Sequence, residues 1–256
     1  MRSYHCVMRT CVNRIGGSLL FVLLVAFQTI GLPATVEAVP LPVDGSLVAI
    51  ARGDFGGQEL VVWDEPSLDS QPLATLRAGK ETAGAPVVLV LERRDDGWMR
   101  VLTPIRPRFP SSGPVDGWIR DQDVRLNRTH YTVDVNLGAR RIVVAWNGRT
   151  VRSMPAAIGR PATPTPSAAT YITGLTKTPF PGDDPRGPFT LELADWSAAI
   201  PDYSINGRSS SIVIQGTNCA DSCLGRAVSS GSLRVRNTDI VWMAITLPVG
   251  TPVSIH

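Results

Sequence analysis

Short apolar runs recur along this chain between glycine, proline and Asx-Gly punctuation, a rhythm that suits an all-β architecture and little else. Leu60-Val61-Val62-Trp63 ends at the turn signal Asp64-Glu65-Pro66. Pro86-Val87-Val88-Leu89-Val90-Leu91-Glu92-Arg93 runs into Asp95-Asp96-Gly97, and Trp98-Met99-Arg100-Val101-Leu102 returns, which is the pattern of a hairpin. After a proline-rich stretch from Pro104 to Pro114, Gly117-Trp118-Ile119-Arg120 forms another short strand. The second half repeats the habit. Tyr131-Thr132-Val133-Asp134-Val135 alternates, and Arg141-Ile142-Val143-Val144-Ala145-Trp146 pairs with it across Asn136-Leu137-Gly138. Asn147-Gly148 marks a further hairpin into Thr150–Met154. Strands are also expected over Ala169–Thr173, Ser211–Ile214 and Val249–Ile255, and helical spacing only over Asp239–Ala244.

The first segment stands apart. Arg2, Arg9 and Arg14 precede the apolar stretch Leu19–Phe27, and Val36-Glu37-Ala38 offers a small-residue cleavage site. This predicts a secretory signal peptide over 1–38 and a linker over 39–46, with export to the periplasm or cell wall. Gln28, Gly31 and Pro33 interrupt the apolar stretch too soon for a comfortable membrane span, so membrane attachment is expected only if the segment is left uncleaved.

Charge and cysteines narrow the function classes. Loss of residues 1–38 removes three arginines and Glu37 and lowers the formal charge from +3 to +1, which argues against a nucleic-acid surface. Cys6 and Cys11 leave with the signal, so Cys219 and Cys223 remain, and in an oxidising compartment a local disulfide is the expected state. The two thiols lack further ligands, since His130 and His256 are the only histidines of the exported chain, so no metal site is expected, and no cofactor.

Two sets of motifs carry family resemblances. Asp96-Gly97-Trp98 and Asp116-Gly117-Trp118 resemble the repeated units of bacterial SH3-like barrels, which implies such a domain over 47–127, with Trp98 and Trp118 filling its core in preference to stacking on a ligand. Gln215-Gly216-Thr217-Asn218 and Ser229-Ser230-Gly231-Ser232-Leu233-Arg234 resemble the signature of L,D-transpeptidases, which reads His-Gly-Thr-Asn and Ser-His-Gly-Cys-Ile/Val-Arg. Pro164-Thr165-Pro166 with Tyr171, the tail Arg234-Asn237-Asp239 and the closing Leu247–Val253 extend that likeness over 129–256. The fold implied is mainly β: an SH3-like barrel followed by a transpeptidase-type β-sandwich with one short helix.

The resemblance implies acyl transfer on peptidoglycan, in which a Cys thiolate attacks a stem-peptide carbonyl and expels D-Ala. Here Ser232 stands at the Cys position, Ser230 at the adjacent His position and Gln215 at the upstream His position. A hydroxyl is a poor nucleophile unless a base removes its proton, and neither Ser230 nor Gln215 titrates usefully. Loss of groups that act as a unit costs about 10⁴–10⁶ in rate. The expectation is therefore a degenerate member that binds peptidoglycan stem peptides, or another cell-wall enzyme, through Thr217, Asn218, Gly231 and Arg234. The alternative is an active acyltransferase that uses Ser232, with Lys177 as its base, or Cys223. Arg234 has two readings, a carboxylate-binding group or a structural ion pair with Asp239.

Overall fold

The computed structural model describes residues 47–51, 59–78, 84–107, 113–179, 185–197 and 211–256. The expected signal peptide and linker lie outside these residues. Contacts among the described residues group into one compact unit.

Its N-terminal part is a seven-stranded antiparallel sheet: β1 (Leu47–Ala51), β2 (Glu59–Trp63), β3 (Pro72–Arg77), β4 (Val87–Arg93), β5 (Trp98–Thr103), β6 (Val115–Arg120) and β7 (Val124–Arg128), in the order β3-β2-β6-β5-β4-β1-β7. Gly97 closes the β4–β5 hairpin at φ 84°, a conformation that a side chain disfavours. One face buries Leu60, Val62, Val88, Val90, Met99, Val101 and Ile119. Because side chains alternate along a strand, Trp98 and Trp118 fall on the face opposite Met99 and Ile119. Both indoles are half-buried, and the Arg94 guanidinium lies 5.5 Å from the Trp118 ring centroid. The expectation of two core-filling tryptophans is corrected by this period of two.

The remaining strands are β8 (Tyr131–Asn136), β9 (Arg141–Trp146), β10 (Arg149–Pro155), β11 (Ile158–Gly159), β12 (Ala168–Lys177), β13 (Phe189–Trp196), β14 (Ser211–Gln215), β15 (Ala227–Ser229), β16 (Leu233–Arg234) and β17 (Pro252–Ile255). Two helices interrupt them, α1 (Ala220–Cys223) and α2 (Asn237–Thr246). Eight strands run in the order β10-β9-β8-β17-β12-β13-β14-β16, and β11 pairs with β15. The long β12 belongs to both layers of the sandwich. Its first residues, Ala168–Tyr171, pair with β17; beyond them it pairs with β13, with a register shift between Ile172 and Gly174. Val133, Ile142 and Val144 from one layer meet Leu191, Leu193, Ile212 and Ile214 from the other, and α2 adds Ile240 and Met243 to the same core.

The β9–β10 turn has Asn147 and Gly148 at φ 48° and 73°, as an Asn-Gly hairpin requires. The helix is longer than its sequence spacing suggests and ends where Leu247 turns extended before Pro248, which has no N–H to continue it. The last strand is shorter than expected, because the Thr251 N–H bonds back to the Pro248 carbonyl (3.1 Å) and makes Pro248–Thr251 a turn.

Candidate functional site

Gln215 and Arg234 meet across the parallel pairing of β14 with β16, where Ile214 lies opposite Leu233 and Gln215 opposite Arg234. A second bond, from the Val235 N–H to the Gln215 carbonyl (3.0 Å), extends the pairing. On its far side Arg234 exchanges two 2.9 Å backbone hydrogen bonds with Ala157. The Arg234 main chain is thus fixed on both edges. Its side chain is half-buried, and its Nε is buried with no hydrogen-bond partner.

The turn before β16 is held by hydroxyls. Ser229 is fully buried; its Oγ donates to the Ser232 carbonyl (2.6 Å) and accepts from the Gly231 N–H (3.1 Å). Thr165 Oγ1 donates to the Gly231 carbonyl (2.8 Å) and accepts from the Gly159 N–H (2.9 Å). Both backbone groups of Gly231 are therefore engaged within the protein, and its φ of 113° favours glycine. Ser232 is half-buried and Ser230 exposed. Ser229 and Thr165 organise this turn, a role that sequence reasoning missed; their place beside the Gly-Ser and Pro-Thr-Pro segments was the only signal.

The second segment is arranged from below by α2. Asn237 Oδ1 accepts from the Thr217 N–H (2.9 Å), and a Cβ at Gly216 would collide with the same oxygen. Gln215 and Thr217 are buried and Asn218 is exposed. Cys219 and Cys223 are joined by a disulfide, and Thr217 Oγ1 lies 3.0 Å from the Cys219 sulfur.

The structure separates the other candidates from this centre. Lys177 is exposed and pairs with Phe189, three strands from β16, roughly 14 Å at ordinary strand spacing. His130 opens β8, five strands from β16, with its ring 6.4 Å from that of Trp146. His256 follows β17 and its Nδ1 lies 3.5 Å from the Asp134 carboxylate. The ion pair proposed between Arg234 and Asp239 does not form. Asp239, in the first turn of α2, instead accepts from Arg152 of β10 at 2.7 and 3.0 Å, and that guanidinium also covers the Trp242 ring at 4.8 Å. The helix directs Asp239 toward β10, while β16 is zipped between β14 and Ala157. Among the described residues no group of three or more His, Cys, Asp or Glu is placed to hold a metal ion.

The buried turn, its threonine brace and the Gln215–Asn218 segment all fall within one matched stretch. Residues 130–255 match the YkuD family, the L,D-transpeptidase catalytic domain. The putative L,D-transpeptidase YkuD of Bacillus subtilis is 31% identical over 126 residues, covering 49% of this chain and 66% of the relative. The Bacillus licheniformis protein of the same name is 31% identical over 125 residues, covering 49% and 65%. The chain thus spans just under two thirds of the length of these curated relatives. Among solved structures, L,D-transpeptidase 3 of Mycobacterium tuberculosis is similar at a TM-score of 0.43 and 15% identity, over 67% of this chain and 91% of that one. An L,D-transpeptidase of Mycobacterium smegmatis gives 0.41 and 15%, over 82% and 99%. Ser232 lies within the matched stretch, and no hydrogen bond joins its Oγ to a His, Lys, Asp or Glu among the described residues.

Proposed function

We propose that residues 129–256 form an L,D-transpeptidase-type domain that has kept the frame of the stem-peptide site and lost the acyl-transfer chemistry. The exported protein acts at the cell wall as a binding module for peptidoglycan stem peptides or for an active cell-wall enzyme. One observation carries this reading: the turn at Ser229–Ser232 is fully braced while Ser232, Ser230 and Gln215 supply neither a thiolate nor a base. Lys177 lies too many strands away to serve Ser232, and Cys223 is spent in a disulfide. The unpartnered Arg234 Nε is the group best suited to a peptide carboxylate, since a guanidinium forms charge-assisted bonds with it. The seven-stranded sheet over 47–127 is read as the SH3-like partner domain on its two Asp-Gly-Trp units, and export rests on the signal pattern in 1–38.

The test is intact-mass analysis after incubation with a carbapenem, with soluble muropeptide binding measured in parallel. No adduct together with saturable binding supports the module. An adduct on Ser232 or Cys223 sinks it and makes the chain an enzyme. Neither adduct nor binding leaves only the protein partner, to be sought among cell-wall enzymes.

A further inference from the structure

The N-terminal sheet and the sandwich meet at a joint that encloses a carboxyl group with one oxygen left without a hydrogen-bond partner. Ala194 of β13 and Tyr171 of β12 pack against Val48, Leu89 and Leu102 of the N-terminal sheet, and the Tyr171 hydroxyl donates to the Val87 carbonyl (3.2 Å). Next along β13 come Asp195, Trp196 and Ser197, all buried. Asp195 Oδ1 accepts from the Trp196 N–H (2.8 Å), and Oδ2 is buried with no partner. Gly113, in the connection from β5 to β6, donates its N–H to the Trp196 carbonyl (3.3 Å) and also bears on the Asp195 carboxyl. The Trp196 indole N–H is likewise buried and unpartnered, with the Arg106 guanidinium 5.4 Å from the ring centroid.

We propose that Asp195 makes this joint pH-sensitive: while its carboxyl is neutral the end of β13 stays packed on the Gly113 turn, and loss of the proton to solvent loosens that contact and uncovers Trp196. An unpaired carboxylate in a dry site is far costlier than a neutral acid, so the ionised form favours a conformation that admits water. Only two backbone N–H groups among the described residues favour the charged form. Among the described residues of the β5–β6 connection the charged group is Arg106, which lies over the indole; β12 contributes Tyr171, already bonded to Val87, and Lys177 at its exposed end. Glu192, on β13 itself, accepts from Thr176, and β14 carries no charged residue. Burial pushes the Asp195 carboxyl up to about 7, opposed by the two backbone N–H groups.

Hydrogen exchange by mass spectrometry on the full chain tests this, with rates corrected for their intrinsic base catalysis. Between about pH 5.5 and 8.5, peptides spanning Gly113 and Trp196 should lose protection by about tenfold, while those from β8 and β9 hold theirs. Asp195→Asn should abolish the difference. The same pH response in wild type and variant, or none at the joint, overturns the proposal. Should the variant fail to fold, infrared spectroscopy of the wild type decides: a neutral-carboxyl C=O band that titrates away near neutrality supports it, and absence of that band at about pH 6 refutes it.

Discussion

Under the proposed function residue 232 sets the chemistry, because a thiol is partly ionised near neutral pH and a hydroxyl is not. A thiol placed there alone should achieve little, since Gln215 and Ser230 supply no base. Ser232→Cys combined with Gln215→His and Ser230→His is expected to gain covalent acylation by a carbapenem, read by intact mass, while Ser232→Ala leaves muropeptide binding unchanged. Gly216 gives a stability test. A methyl there collides with Asn237 Oδ1, so Gly216→Ala should cost about 1–3 kcal/mol in denaturant unfolding, as overpacking does elsewhere. Gln215, Ser230 and Ser232, on which the proposed loss of chemistry rests, were singled out from their neighbours in the sequence. The service of Ser229 and Thr165 was not, because both bond to backbone groups brought near only by folding.

At the scale of elements, α2 and the α1 loop hold the Gln215–Asn218 segment from two sides. Arg152→Ala leaves Asp239 with a side chain only 10% exposed and no cation, and is expected to destabilise the fold by about 1–3 kcal/mol; urea titration measures it, and Asp239→Asn in the same background should recover part of the loss. Replacing both Cys219 and Cys223 by Ser opens a five-residue loop. Chain entropy alone predicts a loss of about 2 kcal/mol, visible as a lower thermal midpoint. Helix and hairpins were readable locally, from Asn147-Gly148, Asp96-Gly97 and the spacing of Ile240 and Met243. Strand β13 has no counterpart among the strands expected from sequence. It is buried along most of its length, so apolar–polar alternation, the usual mark of a strand, is weak there.

Across the whole molecule the two β parts are joined by apolar surface. Gly250 has room for no side chain, since its Cβ would meet Val48 Cγ1 at 2.6 Å, and Tyr171 is fully buried between the parts. Residues 129–256 expressed alone would expose Tyr171 and Ala194, and should aggregate or unfold well below the full chain's midpoint in a thermal scan. Acid–base behaviour belongs to this scale too. The Asp195 carboxyl, ordinarily at 3.8, is raised to about 7 in the fold, so the native state holds an extra proton between those values. Its contribution to stability is therefore full below about pH 4, declines as pH rises towards 7 and is flat above, by at most about 4 kcal/mol. Thermal midpoints across that range should fall more steeply in wild type than in Asp195→Asn. Turn chemistry and alternation, which act between near neighbours, already specify a mainly β chain, and the resemblance of Gln215–Asn218 and Ser229–Arg234 to a transpeptidase signature pointed to the stretch that the family model matches. Which face Trp98 and Trp118 occupy, which arginine meets Asp239 and where an acid lies unpaired depend on register and on the meeting of two sheets. Those are contacts between residues far apart in the chain, and only the tertiary structure decides them.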